Sequence, residues 1–337
     1  MSPSEAVAPS IQTSAPSLPK VLACGAGMGL ADAVPGVSGG TVLLVAGILD
    51  AYLAALAAVL AWLRRPFDVV RWRAALTAAR LLAPLVAMQA TALVIGVMLL
   101  VGAKPELGDN AISARGALEA APGLLINAQT APVVFAIFFA LVAVTVGEPL
   151  RARKTRAGID WILGGLGAVV AGGLALMPAS AGTPGLPMIV FGGALAIAVM
   201  ILPGISGSMV LLLLGLYQPV AGAVHERDLI TIGAFGGGIL LGLAVAVPLL
   251  RALLAVAHDR TMAFLSGLML GSLVALWPWK THAYPGAIPL LGPMWPQAPS
   301  GAWWWPVLAA ATAAVLGGAA LHLVNRRRPQ DRLEAQV

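Results

Sequence analysis

Two apolar runs in this sequence are too long to cross a bilayer once, and each is interrupted in its interior by the same Pro-Gly-x-Ser-Gly cluster. The run at 21–63 carries VPGVSGG at 34–40, and the run at 188–224 carries LPGISGS at 202–208. The copies align at an offset of 168 residues, and eight of the fifteen positions from 34 to 48 are identical to their partners, the match reaching Gly47 and Gly215. An offset of half the 337-residue chain is the mark of an internal duplication. Pro35 and Gly36 end a helix, because proline disfavours helical geometry in the residue before it and glycine admits positive φ. The next helix is expected to start near Ser38 or Thr41. A break at membrane depth must satisfy its freed N–H and C=O groups against protein, water or a ligand, since lipid offers no partner. Such a break reads as a re-entrant hairpin or as a discontinuous spanning helix.

The rest of the chain fits a polytopic membrane protein. Further apolar segments fall at 81–101, 130–149, 159–178, 229–250, 262–278 and 303–324. Only 10% of the residues are charged, against about 25% in soluble domains, which excludes a soluble globular fold. The net charge of +6 comes from short hydrophilic loops beside these segments, so it points to topology and not to nucleic acid. Cys24 is the one cysteine; it can form neither an internal disulfide nor a thiolate metal cluster, and no metal or other cofactor is expected. The first 19 residues, rich in Ser, Pro and Ala and without a basic stretch, read as a disordered tail and not as a signal peptide.

Basic residues give the expected orientation. With both long segments as hairpins and the other six crossing once, the N-terminus, 64–80, 150–158, 251–261 and 325–337 share one side and hold 16 of the 20 basic residues. Among them are Arg64, Arg65, Arg71, Arg73, Arg151, Arg153, Lys154, Arg156 and Arg326 to Arg328; the other side keeps Lys104, Arg115, Arg227 and Lys280. Both termini are then cytoplasmic. The first hairpin enters from the cytoplasm and the second from outside, each followed by three crossings. The expected fold is therefore an all-α polytopic membrane protein with an inverted-topology repeat, a transporter architecture. Its parts are a tail at 1–20, a first repeat at 21–178, a second at 188–324 and a tail at 325–337.

Each break is followed by a helix N-terminus rich in glycine and hydroxyls: Ser38, Gly39, Gly40 and Thr41, then Ser206, Gly207 and Ser208. Unpaired N–H groups and the positive end of the helix dipole make such an end an anion site, and glycine lets a phosphate approach the backbone. Glycine and serine also let helices pack closely, but a matched, inverted pair favours the anion site. Asp32 is the one carboxylate deep inside an apolar segment, where an acid costs roughly 2.5–3.5 kcal/mol on insertion scales. It either carries a coupling proton or caps freed N–H groups at the break. Asp50 and Glu148 are lesser candidates for proton coupling, and Glu148 lies close enough to the basic residues at 151–156 to pair there.

The run GMGLADAVPGVSGGTVLLVAGILD at 27–50, ILPGISGSMVLLLLGLY at 201–217 and GSLVALWPWK at 271–280 resemble the bacterial polyprenyl-phosphate (undecaprenyl-phosphate) translocases, a family long known as a domain of unknown function. The resemblance covers nearly the whole chain after residue 20. It implies a multi-pass protein of the bacterial cytoplasmic membrane that returns undecaprenyl phosphate from the outer to the inner leaflet for reuse in envelope synthesis. By motif it implies a substrate-binding core of Pro35, Gly36, Ser38, Gly39, Gly40 and Thr41 with Pro203, Gly204, Ser206, Gly207 and Ser208, beside Asp32. The family's Tyr-Glu pair after the first motif's glycine is replaced here by Leu49 and Asp50. Trp277 and Trp279 read as an interfacial anchor. The implied partners are the lipid substrate and the membrane lipids, with no nucleic acid and with a homodimer left open.

Two rival readings remain. Both motifs contain Gly-x-Ser-Gly, the pattern around the nucleophile of rhomboid-like intramembrane proteases, but a serine nucleophile needs a base within hydrogen-bond reach. His225, His258, His282 and His322 all fall at segment ends or in loops, so a non-enzyme is expected. An inorganic-anion channel or exchanger is the stronger rival, because glycine-rich helix N-termini suit chloride as well as a lipid phosphate.

Overall fold

A computed structural model describes residues 16–33, 38–100, 131–151, 153, 158–177, 184–278 and 304–334. Val34 to Val37, Lys104, Arg115, Lys154, Arg156, Trp279, Lys280, His282 and most of the N-terminal tail lie outside them. The described residues form thirteen helices: α1 (Leu18–Asp32), α2 (Gly39–Ala46), α3 (Leu49–Arg64), α4 (Val69–Leu100), α5 (Ala131–Thr145), α6 (Glu148–Arg151), α7 (Gly158–Leu176), α8 (Leu186–Met200), α9 (Gly207–Leu213), α10 (Tyr217–Glu226), α11 (Leu229–Val256), α12 (His258–Ser272) and α13 (Trp304–Glu334). Among the described residues no strand occurs.

The duplication is reproduced residue by residue. α1 and α8 each begin on a Leu-Pro pair, with proline in the first turn where its missing N–H costs nothing, and each runs for 15 residues. Ala33 donates to the Gly29 carbonyl, as its counterpart Ile201 donates to Ile197. Gly47 and Gly215 share a φ of 68°, the left-handed conformation that lets glycine close a helix. Around them Gly47 and Ile48 donate to Leu44 and Leu43, while Gly215 and Leu216 donate to Leu212 and Leu211, the same two bonds at the same offset. Local geometry is thus shared at six paired positions between 29 and 48, four of them inside the matching stretch at 34–48.

Packing repeats as well. α1 lies along α4, and α8 lies along α11; α7 packs on α12, and α5 on α13. Exchanging the two halves converts the first pair into the second, and α5 with α13 into α12 with α7. This is the pattern of a two-fold relationship. The last two pairs interlock the halves, since each joins one helix from either side of the duplication. Along α7 and α12 the contact is close because small residues meet: a Cβ on Gly167 would strike the backbone of Phe264 and Leu268, and one on Gly271 that of Ala168.

Four of the described helical stretches are long and apolar enough to cross a membrane, Val69–Ile95, Val133–Arg151, Gly158–Leu176 and Leu229–Val256. The protein is an all-α, multi-pass membrane protein. Leu240, Leu241, Val245 and Leu249 of α11 and Ile162, Leu166 and Val169 of α7 are exposed, apolar faces suited to lipid. The expected first hairpin is more broken than the sequence suggests. From Gly39 the chain runs as α2 and then turns by 115° into α3. The cause is the positive φ at Gly47, which ends α2 after 8 residues. α4 starts at Val69, inside the stretch taken for a loop, because Asp68 accepts from Val70 and Arg71 and caps it. α13 likewise runs on through Arg326 to Arg328 to Glu334.

Candidate functional site

The two motifs meet. The Ser38 hydroxyl donates to the Leu202 carbonyl at 3.1 Å, and a Cβ on Gly40 would come within 2.9 Å of the Ile201 carbonyl and 3.1 Å of that of Met200. Residues 164 apart in sequence are thereby held together, side chain to backbone. Ser38, Gly39, Gly40 and Thr41 are buried, as are Pro203, Gly204, Ser206 and Gly207, and Ser208 is half-buried. Pro35 and Gly36 lie outside the described residues. The junction sits within the main apolar core, where Leu43, Ile201, Ile205, Met209 and Val210 come together.

Each helix restarts where the sequence suggests. Ser38 and Ser206 stand at the N-caps of α2 and α9 in extended conformation, and neither side chain caps its own helix. Ser38 is spent on the other motif, and Ser206 shares a hydrogen bond of 2.7 Å with Ser208. The turn before α9 is held by Gly204, whose φ of +96° disfavours any other residue and whose α-carbon lies against Leu268 and Met269 of α12. The second break is thus seated on the helix that α7 packs against.

Asp32 takes the capping role at the first break. Its Oδ1 accepts the Gly39 N–H at 2.9 Å, and its Oδ2 accepts from the Gln89 side-chain amide of α4 at 2.8 Å. One carboxylate therefore ties the end of α1, the start of α2 and the middle of α4. The other two acids are placed differently. Glu148 is buried and pairs with Arg151 at 2.6 Å, in a short helix that touches α2 and α12. Asp50 is exposed in the first turn of α3.

Two features escape a reading of the sequence. Gln89 is one polar residue among apolar ones, and only the packing of α1 on α4 brings it to Asp32. Arg153 and Asp160 form a buried ion pair at 3.1 Å, their side chains 5% and 2% exposed, with the guanidinium 5.9 Å from the Trp161 ring centre. Asp160, in the first turn of α7, is a buried carboxylate at a segment end and not in its interior. Trp277 packs edge-on against Phe139, ring centres 5.8 Å apart. Among the described residues no group of three His, Cys, Asp or Glu could hold a metal ion. His258 is placed beside Asp259, and the hydrogen bonds of Ser38, Ser206 and Ser208 run to Leu202 and to each other.

Residues 28–104 and 120–286, which include both motifs and Asp32, Asp50, Glu148 and Asp160, match the family described as undecaprenyl phosphate translocase-like. The chain belongs to this family. The polyprenyl-phosphate transporter of Vibrio cholerae is 34% identical over 262 residues, covering 76% of each chain. No solved structure matches. Within this translocase-like chain, the junction of the two breaks brings polar backbone and hydroxyls from both halves of the duplication into the core.

Proposed function

We infer that the protein carries polyprenyl phosphate across the bacterial cytoplasmic membrane. The supporting observation is the meeting of the two Pro-Gly-x-Ser-Gly breaks inside an apolar core. A lipid phosphate needs a polar, anion-tolerant point at membrane depth, and helix N-termini with glycine at their first positions offer N–H groups without a buried cation. The substrate site comprises Pro35, Gly36, Ser38, Gly39, Gly40 and Thr41 with Pro203, Gly204, Ser206, Gly207 and Ser208. The halves have inverted topology and both termini are cytoplasmic, a reading supported by the 16 to 4 division of basic residues. Alternating access then consists of rocking one half against the other about this junction. Net movement from the outer to the inner leaflet returns the carrier for envelope synthesis.

Asp32 couples transport to protons, because it is the acid that touches an α2 amide at the junction. Neutral, it does not repel the arriving phosphate; ionised, it promotes release. Proteoliposomes loaded with fluorescent undecaprenyl phosphate test the whole reading: the protein should move the lipid between leaflets, and a transmembrane pH gradient should change the rate. Chloride flux without lipid movement would replace this reading by the anion-channel one.

A further inference from the structure

We propose that Gln89 is a positioning residue that holds Asp32 as a built-in anion at the start of α2, so that a lipid phosphate must displace this carboxylate to bind there. The proposal rests on the transport reading above and adds the competitor that the substrate meets. Three observations carry it. The Asp32 carboxylate already occupies the first amide of α2, with Oδ1 2.9 Å from the Gly39 nitrogen. It does so over the open face of Gly39: a Cβ there would stand 3.0 Å from both carboxylate oxygens, so the carboxylate uses the approach that the absent side chain leaves for a phosphate. Its second oxygen is claimed by Gln89 Nε2 at 2.8 Å, a bond to an ionised acceptor and hence one of the stronger kind.

The duplication supplies an internal control. By sequence offset Met200 stands where Asp32 does, and by packing Ile239 stands where Gln89 does, since Gly25 of α1 faces Leu85 and Gln89 as Gly193 of α8 faces Phe235 and Ile239. The acid and the amide that holds it are both missing from the second copy, whose hydroxyls Ser206 and Ser208 bond to each other. Only the first break therefore carries its own anion. An empty junction is kept closed by Asp32 bridging α1, α2 and α4, and phosphate arrival releases that bridge. Substrate binding is in this way coupled to loosening of α1 from α4.

The test is calorimetric titration of the detergent-solubilised full chain with farnesyl phosphate, a short polyprenyl phosphate. Gln89→Met keeps the side-chain volume but removes the donor, and Asp32→Asn keeps the shape but removes the charge. Both should bind farnesyl phosphate more tightly, by about tenfold, and the double variant should bind no tighter than Asp32→Asn alone, since Gln89 acts through Asp32. A purely structural role for Gln89 would not produce that lack of additivity. Asp32→Asn serves alone if Gln89→Met does not fold. Saturable wild-type binding that is unchanged or weakened in the variants overturns the competition and leaves the transport reading standing. Wild-type protein that moves undecaprenyl phosphate in vesicles but does not bind farnesyl phosphate overturns displacement by a phosphate head group. Failure in both assays removes the transport reading and the competition with it.

Discussion

The hydroxyl of Ser38 donates to the carbonyl of Leu202 across the centre of the molecule, joining the two halves of a duplicated chain at their matched breaks. The carbonyl belongs to the residue before Pro203, whose ring nitrogen has no hydrogen to offer the preceding turn. The bond therefore satisfies backbone at a point where the helix has just ended.

Replacing Ser38 by alanine should lower stability by about 0.5–1.5 kcal/mol, the net worth of one hydrogen bond, and reduce lipid translocation only in part. Gly40→Val should do more. Its side chain would enter the space of the Ile201 and Met200 carbonyls, and overpacking of this kind costs about 1–3 kcal/mol. Gly39→Val would force Asp32 off the α2 amide. Thermal unfolding in detergent and vesicle translocation rank the three; an inactive Ser38→Ala beside an active Gly40→Val would favour a nucleophilic serine instead.

Gly204→Ala is expected to be among the most damaging single-methyl changes in the chain. Its φ of +96° is unfavourable for alanine, and the new Cβ would lie 2.5 Å from the backbone of Leu268 and Met269. Strain of this type costs about 1–3 kcal/mol before the clash is counted. Gly237→Ala in α11, with nothing within 4 Å of the new carbon, is the control. Monodisperse elution after mild heating should be lost for the first and retained for the second.

The hairpin topology has a direct test, because Cys24 is buried and a labelling background is low. In the reading above, Lys20→Cys and Arg65→Cys flank the first broken segment and should react with an impermeant maleimide from the same side. Leu186→Cys and Arg227→Cys flank the second and should react from the opposite side. All four positions are exposed. Reaction of the two flanks of either segment from different sides would make that segment a spanning one.

Much of this fold is legible in the sequence because the duplication is local in character. Leu18-Pro19 with Leu186-Pro187, and Gly47 with Gly215, each determine backbone geometry through their own residue types, so a match in letters becomes a match in bonds. The helix start at Val69 is hidden because the Arg-rich stretch after Asp68 looks like a loop by charge, whereas Asp68 caps it as a helix. The contact of Gln89 with Asp32 was not legible, being made 57 residues away by packing of α1 on α4. The same holds for Arg153 with Asp160: the charges are visible, but their burial depends on how the chain folds back into α7.

That buried pair gives a prediction with an unusual sign. Removing one partner, as in Arg153→Met, takes the guanidinium away from a carboxylate whose side chain is 2% exposed and should cost up to about 3–5 kcal/mol. Removing both, as in Arg153→Met with Asp160→Leu, should recover most of the loss, since desolvation of two charges offsets much of their attraction. Equal damage from the single and the double variant would mean that the pair has a role beyond neutralising itself.

Asp32→Asn separates the capping contacts of this carboxylate from the proton coupling proposed for it. The amide oxygen can still accept the Gly39 N–H and the side chain still reaches Gln89, so the junction should stay folded and bind lipid phosphate. What is lost is the ability to change charge. Wild-type translocation should accelerate when a pH gradient is imposed across the vesicle, because in the proposed cycle the acid is neutral on one face and ionised on the other. The asparagine variant should run at one rate with or without the gradient, resembling the permanently neutral state. A folded Asp32→Asn protein that keeps the wild-type response to the gradient would leave Asp32 as a structural cap. Glu148 and Asp50 would then be the next acids to replace, Glu148 first, since its helix touches α2 while Asp50 faces outward.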